Sequence, residues 1–284
     1  MSPMNHRLLV PRKTPGLLDL VPGAAAAYSL RSLSRSYADP VVTVRRSSDD
    51  AEEDFTAAEV SDGTLAAFCG AGDGFVKQWW DQSGNARHAS QTTAGYQPKI
   101  VSSGIVVTQD GNAAIQFDGS DDGLRADALS SVASGTDKFI CAFCVWSTTS
   151  GASPYDVVFG WGSTSSVLPG LWAGGGGGQL QFVRRDNAGN NVTIDPLVQS
   201  TTDLLIESIV SLGDTSSLHY NGAFSGSQTQ SLLATTLNAF AIGQLVRTSV
   251  GNELAGNVLE LIIYPDDLTS QRELIEGNIA WSYS

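Results

Sequence analysis

The stretch that most limits how this chain can fold is Phe117-Asp118-Gly119-Ser120-Asp121-Asp122-Gly123-Leu124, where an apolar strand end runs into an acidic turn punctuated by glycine. Ala113 to Phe117 reads as a strand, and the Asp and Gly that follow supply the side-chain-to-backbone bonds and positive φ of a sharp reversal. The octet predicts a sandwich corner. Beyond it the pattern is strand, turn, strand, with strands expected at 156–161, 179–184, 204–212, 217–220 and 238–242. Asn221-Gly222, set between Leu218-His219-Tyr220 and Ala223-Phe224, is a type I′ hairpin signal. Gly174 to Gly178 lack the following helix and Lys of a phosphate-binding loop, so they read as a hairpin tip.

Before the corner, Pro22 to Leu33 contains strong helix formers with Ala26, Leu30 and Leu33 on one face, and a short helix is expected there. Val41 to Arg46 reads as a strand, the acidic run Asp49 to Asp54 as a solvated loop, and Leu65 to Cys69 as one helical turn. Phe75 to Asn85 is a strand ending in Trp79-Trp80, followed by a polar turn. Neighbouring residues on a strand face opposite ways, so one indole belongs in the core and the other on a surface. At the far end, Val258 to Tyr264 is a buried strand. Ser270-Gln271-Arg272-Glu273 then spells a capping box for a last helix expected to bury Leu274, Ile275, Asn278 or Ile279, and Trp281.

Charge and cysteine usage exclude several classes of function. With 16 basic against 29 acidic residues the net charge is -13, which repels phosphate backbones and anionic lipid headgroups, so no nucleic-acid partner is expected. No stretch approaches the apolar length of a membrane span, and Met1 to Val10 carries no apolar segment of signal-peptide length; a soluble protein made in a reducing compartment is expected. Cys69, Cys141 and Cys144 are too few and odd in number for a disulfide framework. Cys141 and Cys144 fall on opposite faces of one strand, and read as core. Three Asp in five residues, Asp118, Asp121 and Asp122, form a candidate calcium site, set against the alternative that the acids satisfy their own turn. No other cofactor is expected.

The order of the octet, the Asn221-Gly222 hairpin and the Leu261-Ile262-Ile263-Tyr264 strand with its terminal helix resembles the concanavalin A-like, laminin-G-like jelly rolls. The front half, through Ala24 to Arg31, Val44 to Asp49 and Trp80 to Asn85, is similar to the catalytic domain of fungal α-L-arabinofuranosidases and to tailed-bacteriophage virion proteins that share the module. The resemblance implies an all-β, two-sheet jelly-roll β-sandwich with a short N-terminal and a C-terminal helix, spanning 17–284 as one domain behind an extended arm at 1–16. It also implies an acid after an Ile-Gly strand end, where this chain has Ile242-Gly243-Gln244, and an acidic pair near 179–187, where it has Arg184-Arg185 and then Asp186. The disulfides of the fungal enzymes cannot be reproduced by three cysteines.

Those departures lead to the expectation of a non-enzymatic structural component of a bacteriophage virion, in the tail, a fibre or a surface decoration, with no catalytic residue. On that expectation the chain is made in the host cytoplasm and resides in the virion, its basic arm docks on other virion proteins, and it assembles as a homo-oligomer such as a trimer. Host-surface glycan would be held by Trp80, Asp81, Trp161 and Trp172. The alternative is a glycoside hydrolase of arabinofuranosidase type acting on cell-surface polysaccharide through other carboxylates, such as Asp156, Asp186, Glu207 or Glu253.

Overall fold

The computed structural model describes residues 15–136, 138–149, 156–176, 179–195, 203–231 and 233–284. The expected β-sandwich is what forms. One sheet runs Ala223–Thr229, Thr215–Tyr220, Leu205–Leu212, Phe139–Thr148 and Ala255–Tyr264, all antiparallel neighbours. The far edge of Ala255–Tyr264 is shared, with Ala26–Ser29 pairing its second half and Ile115–Asp118 its first. The second sheet runs Asn191–Ile194, Gln179–Arg185, Ser166–Gly176, Val157–Ser163, Ala239–Ile242, Leu124–Arg125, Ala89–Ser90, Gly74–Trp79, Val42–Arg46 and Glu52–Phe55. Ile115–Asp118 and Leu124–Arg125 therefore belong to different sheets, and the acidic octet is the corner between them.

The main core lies between the sheets and contains Trp79, Trp146, Phe159, Trp161, Phe182 and Phe240. A second core fills the space between the first sheet and the last helix, with Cys141, Phe143, Ile262, Ile275 and Ile279. Full burial of each such side chain stabilises by about 1.5–3 kcal/mol, so both layers are needed to offset chain entropy. Strand alternation sends Cys144 to the first core and Cys141 to the second, as the spacing predicts; both thiols are free, and burial pushes each of them up. Trp79 is buried and Trp80 half-buried, again as alternation requires.

Three local expectations fail for tertiary reasons. The helix expected over 22–33 is absent; Ala26–Ser29 is a strand buried along its whole length, with Ala26 and Tyr28 facing one core and Ala27 the other. The helix preference of alanine is worth only tenths of a kcal/mol per residue, less than a strand buried on both faces returns. A short helix stands instead at Leu17–Leu20. The acidic run is only partly loop: Glu52–Phe55 is an edge strand whose Glu52 meets Lys77, while Asp49 and Asp50 pair with Arg46 and Arg45. The capping box does not form, because the last helix, Arg272–Ser282, starts later, with Gln271 as N-cap and no side-chain bond. Asp267 instead takes the Thr269 N–H and hydroxyl, Arg272 pairs with Glu276, and Leu274 and Trp281 remain 51% and 70% exposed.

Candidate functional site

At the corner, Phe117 anchors in the core while Asp118 and Asp122 come off the reversal on the other side. Asp118 Oδ1 accepts the Ser120 N–H at 2.8 Å, and the Asp118 N–H donates to Asp122 Oδ2 at 3.0 Å. Gly119 supplies the turn with φ of 78°. Oxygens of Asp118, Asp121 and Asp122 all lie within 4.8 Å of one another, with Asp122 buried and the other two exposed. Three carboxylates at this spacing can share a cation or exchange a proton.

Asp122 has the perturbed chemistry of the group. Burial, and then the charge of Asp118, push its carboxyl up to about 7, against the N–H of Asp118 and the charge of Lys99, which pull the other way. Asp118 and Asp122 line a cleft of about 510 Å³ together with Arg45, Phe75, Gln97, Lys99 and Gln116. The Arg45 guanidinium lies 4.9 Å from the Phe75 ring centroid and Lys99 Nζ 5.7 Å from it. Both cations are held by acids elsewhere, Arg45 by Asp50 and Lys99 by Asp73. An aromatic floor with amides and carboxyls at its rim suits a sugar, whose C–H face packs on the ring while its hydroxyls bond the rim.

The other residues singled out from the sequence are not brought to this cleft. Trp80 donates its indole N–H to Thr43 and packs against the tilted His88 ring with centroids 4.6 Å apart. Asp81, 4% exposed, accepts from the N–H groups of Ala27, Ser83 and Arg87 and from the Ser83 hydroxyl, which spends its acceptors on pinning the loop to Ala26–Ser29. Trp161 is fully buried and donates to the Leu129 carbonyl, so it is a core residue and presents no face to a ligand. Trp172 is half-buried on the outer face of the second sheet, with the guanidiniums of Arg185 and Arg247 at 5.8 and 5.6 Å from its ring centroid.

Nor do the alternative carboxylates gather. Asp186 is buried, yet hydrogen bonds from Asn190, Leu233 and Ala188 outweigh that burial and hold its carboxyl below the usual range; it staples the 186–190 turn. Glu207 sits between the sheets, pushed up to about 8 by burial, with the Trp146 indole N–H at 2.8 Å and the Tyr220 hydroxyl at 3.3 Å. Asp156 is buried at the start of Val157–Ser163, and Glu253 is half-buried ahead of Ala255–Tyr264. The position where the resemblance implies an acid, Gln244, is 4% exposed and packs its amide against Gly123, where a Cβ would lie 2.2 Å from its Cδ. Gly243 likewise packs on the Phe117 ring. The Gly243-Gln244 turn and the acidic corner are thus in direct contact, which places Asp122 one residue from the side chain that stands in for the missing acid.

Comparisons with known proteins place the fold beside that of glycosidases. Residues 19–126 match the family model described as Alpha-L-arabinofuranosidase B, catalytic. None of the curated proteins matches the chain. Among solved structures, an arabinofuranosidase complexed with arabinofuranosyl-α-1,2-xylobiose is 16% identical with a TM-score of 0.63, covering 90% of this chain and 62% of its own. A mutant GH54 α-L-arabinofuranosidase soaked with 4-nitrophenyl α-L-arabinofuranoside gives a TM-score of 0.66 at the same identity and coverage. The chain therefore spans about 62% of the length of those proteins. At this identity the likeness establishes the sandwich fold.

The expectation of a non-enzymatic virion component is corrected by these matches: the segment that carries the family match is similar to a catalytic domain, and the structural neighbours that cover 90% of the chain are arabinofuranosidases. That expectation rested on Gln244 and Arg184-Arg185 as missing acids. It overlooked that the corner at 118–122, weighed as a calcium site and as turn chemistry, lines a cleft. The expected docking arm at 1–16 falls, up to residue 14, outside the described residues.

Proposed function

We propose that the chain is a glycoside hydrolase that removes furanosyl groups of arabinofuranosyl type from a polysaccharide, with Asp122 as general acid and Asp118 as its partner carboxylate. The observation that carries this reading is the placement of the carboxylate pair in a sugar-sized cleft whose lining residues, Arg45 through Asp122, all belong to the segment similar to an arabinofuranosidase catalytic domain. Oxygens within 4.8 Å of one another are nearer the separation of about 5 Å used by retaining glycosidases than the 6.5–9.5 Å range of inverting ones. Asp122, buried beside the charge of Asp118, keeps its proton near neutral pH and delivers it to the glycosidic oxygen. Asp118, exposed at the cleft, attacks the anomeric carbon, and Asp122 then takes a proton from the water that releases the sugar.

The test uses two substrates. Nitrophenolate leaves without a proton, so Asp118→Asn should abolish release from 4-nitrophenyl α-L-arabinofuranoside while Asp122→Asn slows it less. On arabinoxylan, where the leaving oxygen must be protonated, Asp122→Asn should cost roughly a hundred- to ten-thousand-fold. Failure of the unaltered protein to release sugar from either substrate would overturn the reading.

A further inference from the structure

A second like-charge pair, of opposite sign, stands on the outer face of the second sheet. Trp172 pairs across the sheet with Gly160 on one side and Val183 on the other, so its side chain leaves the core and Arg185, two residues from Val183, shares its face. Gly170 lies under the indole, where a Cβ would fall 2.8 Å from Cζ3, and Gly160 would meet Trp172 Cβ at 2.9 Å. At Gly162 a Cβ would strike the Val246 carbonyl at 1.9 Å, so only glycine lets the 245–251 hairpin lie on this face. Three glycines thus flatten a shelf on which the indole and the hairpin rest. The hairpin delivers Arg247, whose guanidinium sits 5.6 Å from the Trp172 centroid; that of Arg185 sits at 5.8 Å.

No ion pair is formed by either arginine among the described residues, although eight other cations of this acidic chain, Arg31 to Arg272, are paired. Arg247 Nη1 reaches the Val167 carbonyl at 3.3 Å, whereas Arg185 Nε is buried and makes no hydrogen bond. Desolvation, followed by the charge of Arg185, lowers the Arg247 guanidinium from its usual value, the physical mark of two cations held together without a counter-charge. A buried guanidinium N–H without an acceptor is costly unless something supplies one.

We infer that the Arg185–Trp172–Arg247 shelf binds a carboxylated saccharide, with the sugar ring stacked on the indole and its carboxylate bridging the two guanidiniums. The planar fork of arginine matches a carboxylate through two parallel N–H···O bonds, and an indole offers the apolar face that a pyranose C–H surface covers. A net charge of -13 opposes long polyphosphates, so the anion is recognised through local contacts. The proposal goes beyond the hydrolase reading and does not rest on it. Binding is measured without turnover, so the failure of either is seen separately.

The experiment titrates the full chain by calorimetry with tetragalacturonic acid, its fully methyl-esterified form and sodium sulfate. The acid should bind, the ester should bind at least tenfold more weakly, and sulfate should not compete at equal concentration. Arg247→Gln and Arg185→Gln should each weaken the acid by roughly 10- to 100-fold, as expected for loss of a charge-assisted bond, while Arg247→Lys recovers part of it. Trp172→Ala should weaken acid and ester alike. No binding of the acid, equal binding of acid and ester, or unchanged binding by both Gln variants with native circular dichroism would overturn the proposal. Equal competition by sulfate would reduce the shelf to an anion site without sugar recognition and overturn it as stated.

Discussion

The Asp118–Asp122 corner and the Arg185–Trp172–Arg247 shelf are built on the same plan with opposite sign. Each brings like charges together beside an aromatic ring on the side of the second sheet away from the main core, the acids near Phe75 and the cations around Trp172. Glu260 is the opposite case. Glu260, fully buried, takes two bonds from Arg31, at 2.8 and 2.9 Å, and others from Ser29 and Tyr283. A sequence that balances Glu260 so completely and leaves two like-charge pairs open separates charges that hold the fold from charges that meet a ligand. The corner sits in the segment similar to a catalytic domain and the shelf outside it, at residues 160–185 and 245–251.

The largest effect expected from that contrast is kinetic. Asp122→Asn should lower turnover of arabinoxylan by the two to four decades given above, whereas Arg247→Gln should leave turnover of neutral substrate within about threefold; equal losses would merge the two regions into one site. Turnover should also fall as pH rises through about 7, because Asp122 must carry its proton, and Arg247→Gln should not shift that limb.

The next effect separates a perturbed carboxyl in a cleft from one in the core. Glu207, pushed up to about 8, binds more protons folded than unfolded above its ordinary value of 4.5, so its contribution to stability falls as pH rises from about 4.5 to about 8 and is flat beyond. Glu207→Gln keeps both hydrogen bonds within reach and removes that loss, so denaturant melts at pH 9 should show a gain on the order of several kcal/mol, with turnover unchanged. A loss of stability at pH 9 would show that the charged form is accommodated.

Smaller still is the cost of filling the shelf. Gly170→Ala places a methyl 2.8 Å from the Trp172 ring and should destabilise by about 1–3 kcal/mol while weakening tetragalacturonate, without touching turnover of neutral substrate. The smallest effect tests the corner as a cation site. The Ser120 and Asp118 N–H groups already occupy Asp118 Oδ1 and Asp122 Oδ2, and a chelator should leave the melting temperature unchanged; a fall reversed by calcium would make the corner a metal site first.

Much of the sandwich is legible along the chain, because strand period and turn chemistry act locally. Asn221-Gly222 takes φ values of 48° and 81°, as a type I′ turn requires, and Cys141 and Cys144 separate by alternation alone. The helix expected over 22–33 shows the limit: the alanines that favour a helix in isolation are also the residues small enough for a strand packed between two cores. The site is less legible. The acids of the corner are visible in the sequence, but Phe75, Gln97 and Lys99, which turn them into a cleft, come from strands and loops up to 43 residues earlier. Trp172 is identified by type, yet its arginine neighbours at 185 and 247 are joined to it only by the pairing of Ser166–Gly176 with Gln179–Arg185 and the fold of the 245–251 hairpin.

The strand-and-turn pattern, the core placement of the thiols, the alternation at Trp79-Trp80 and the sharp acidic corner are all written in short stretches of chain, since each follows from residues within a few positions of one another. Which charges are spent and which are open is settled by packing. Asp81 and Asp186 look as reactive in sequence as Asp122, but backbone N–H groups consume the first two. Burial beside Asp118 reserves a proton on the third. That difference is a matter of desolvation and of neighbours brought in from distant strands, terms that do not exist until the sheets have packed.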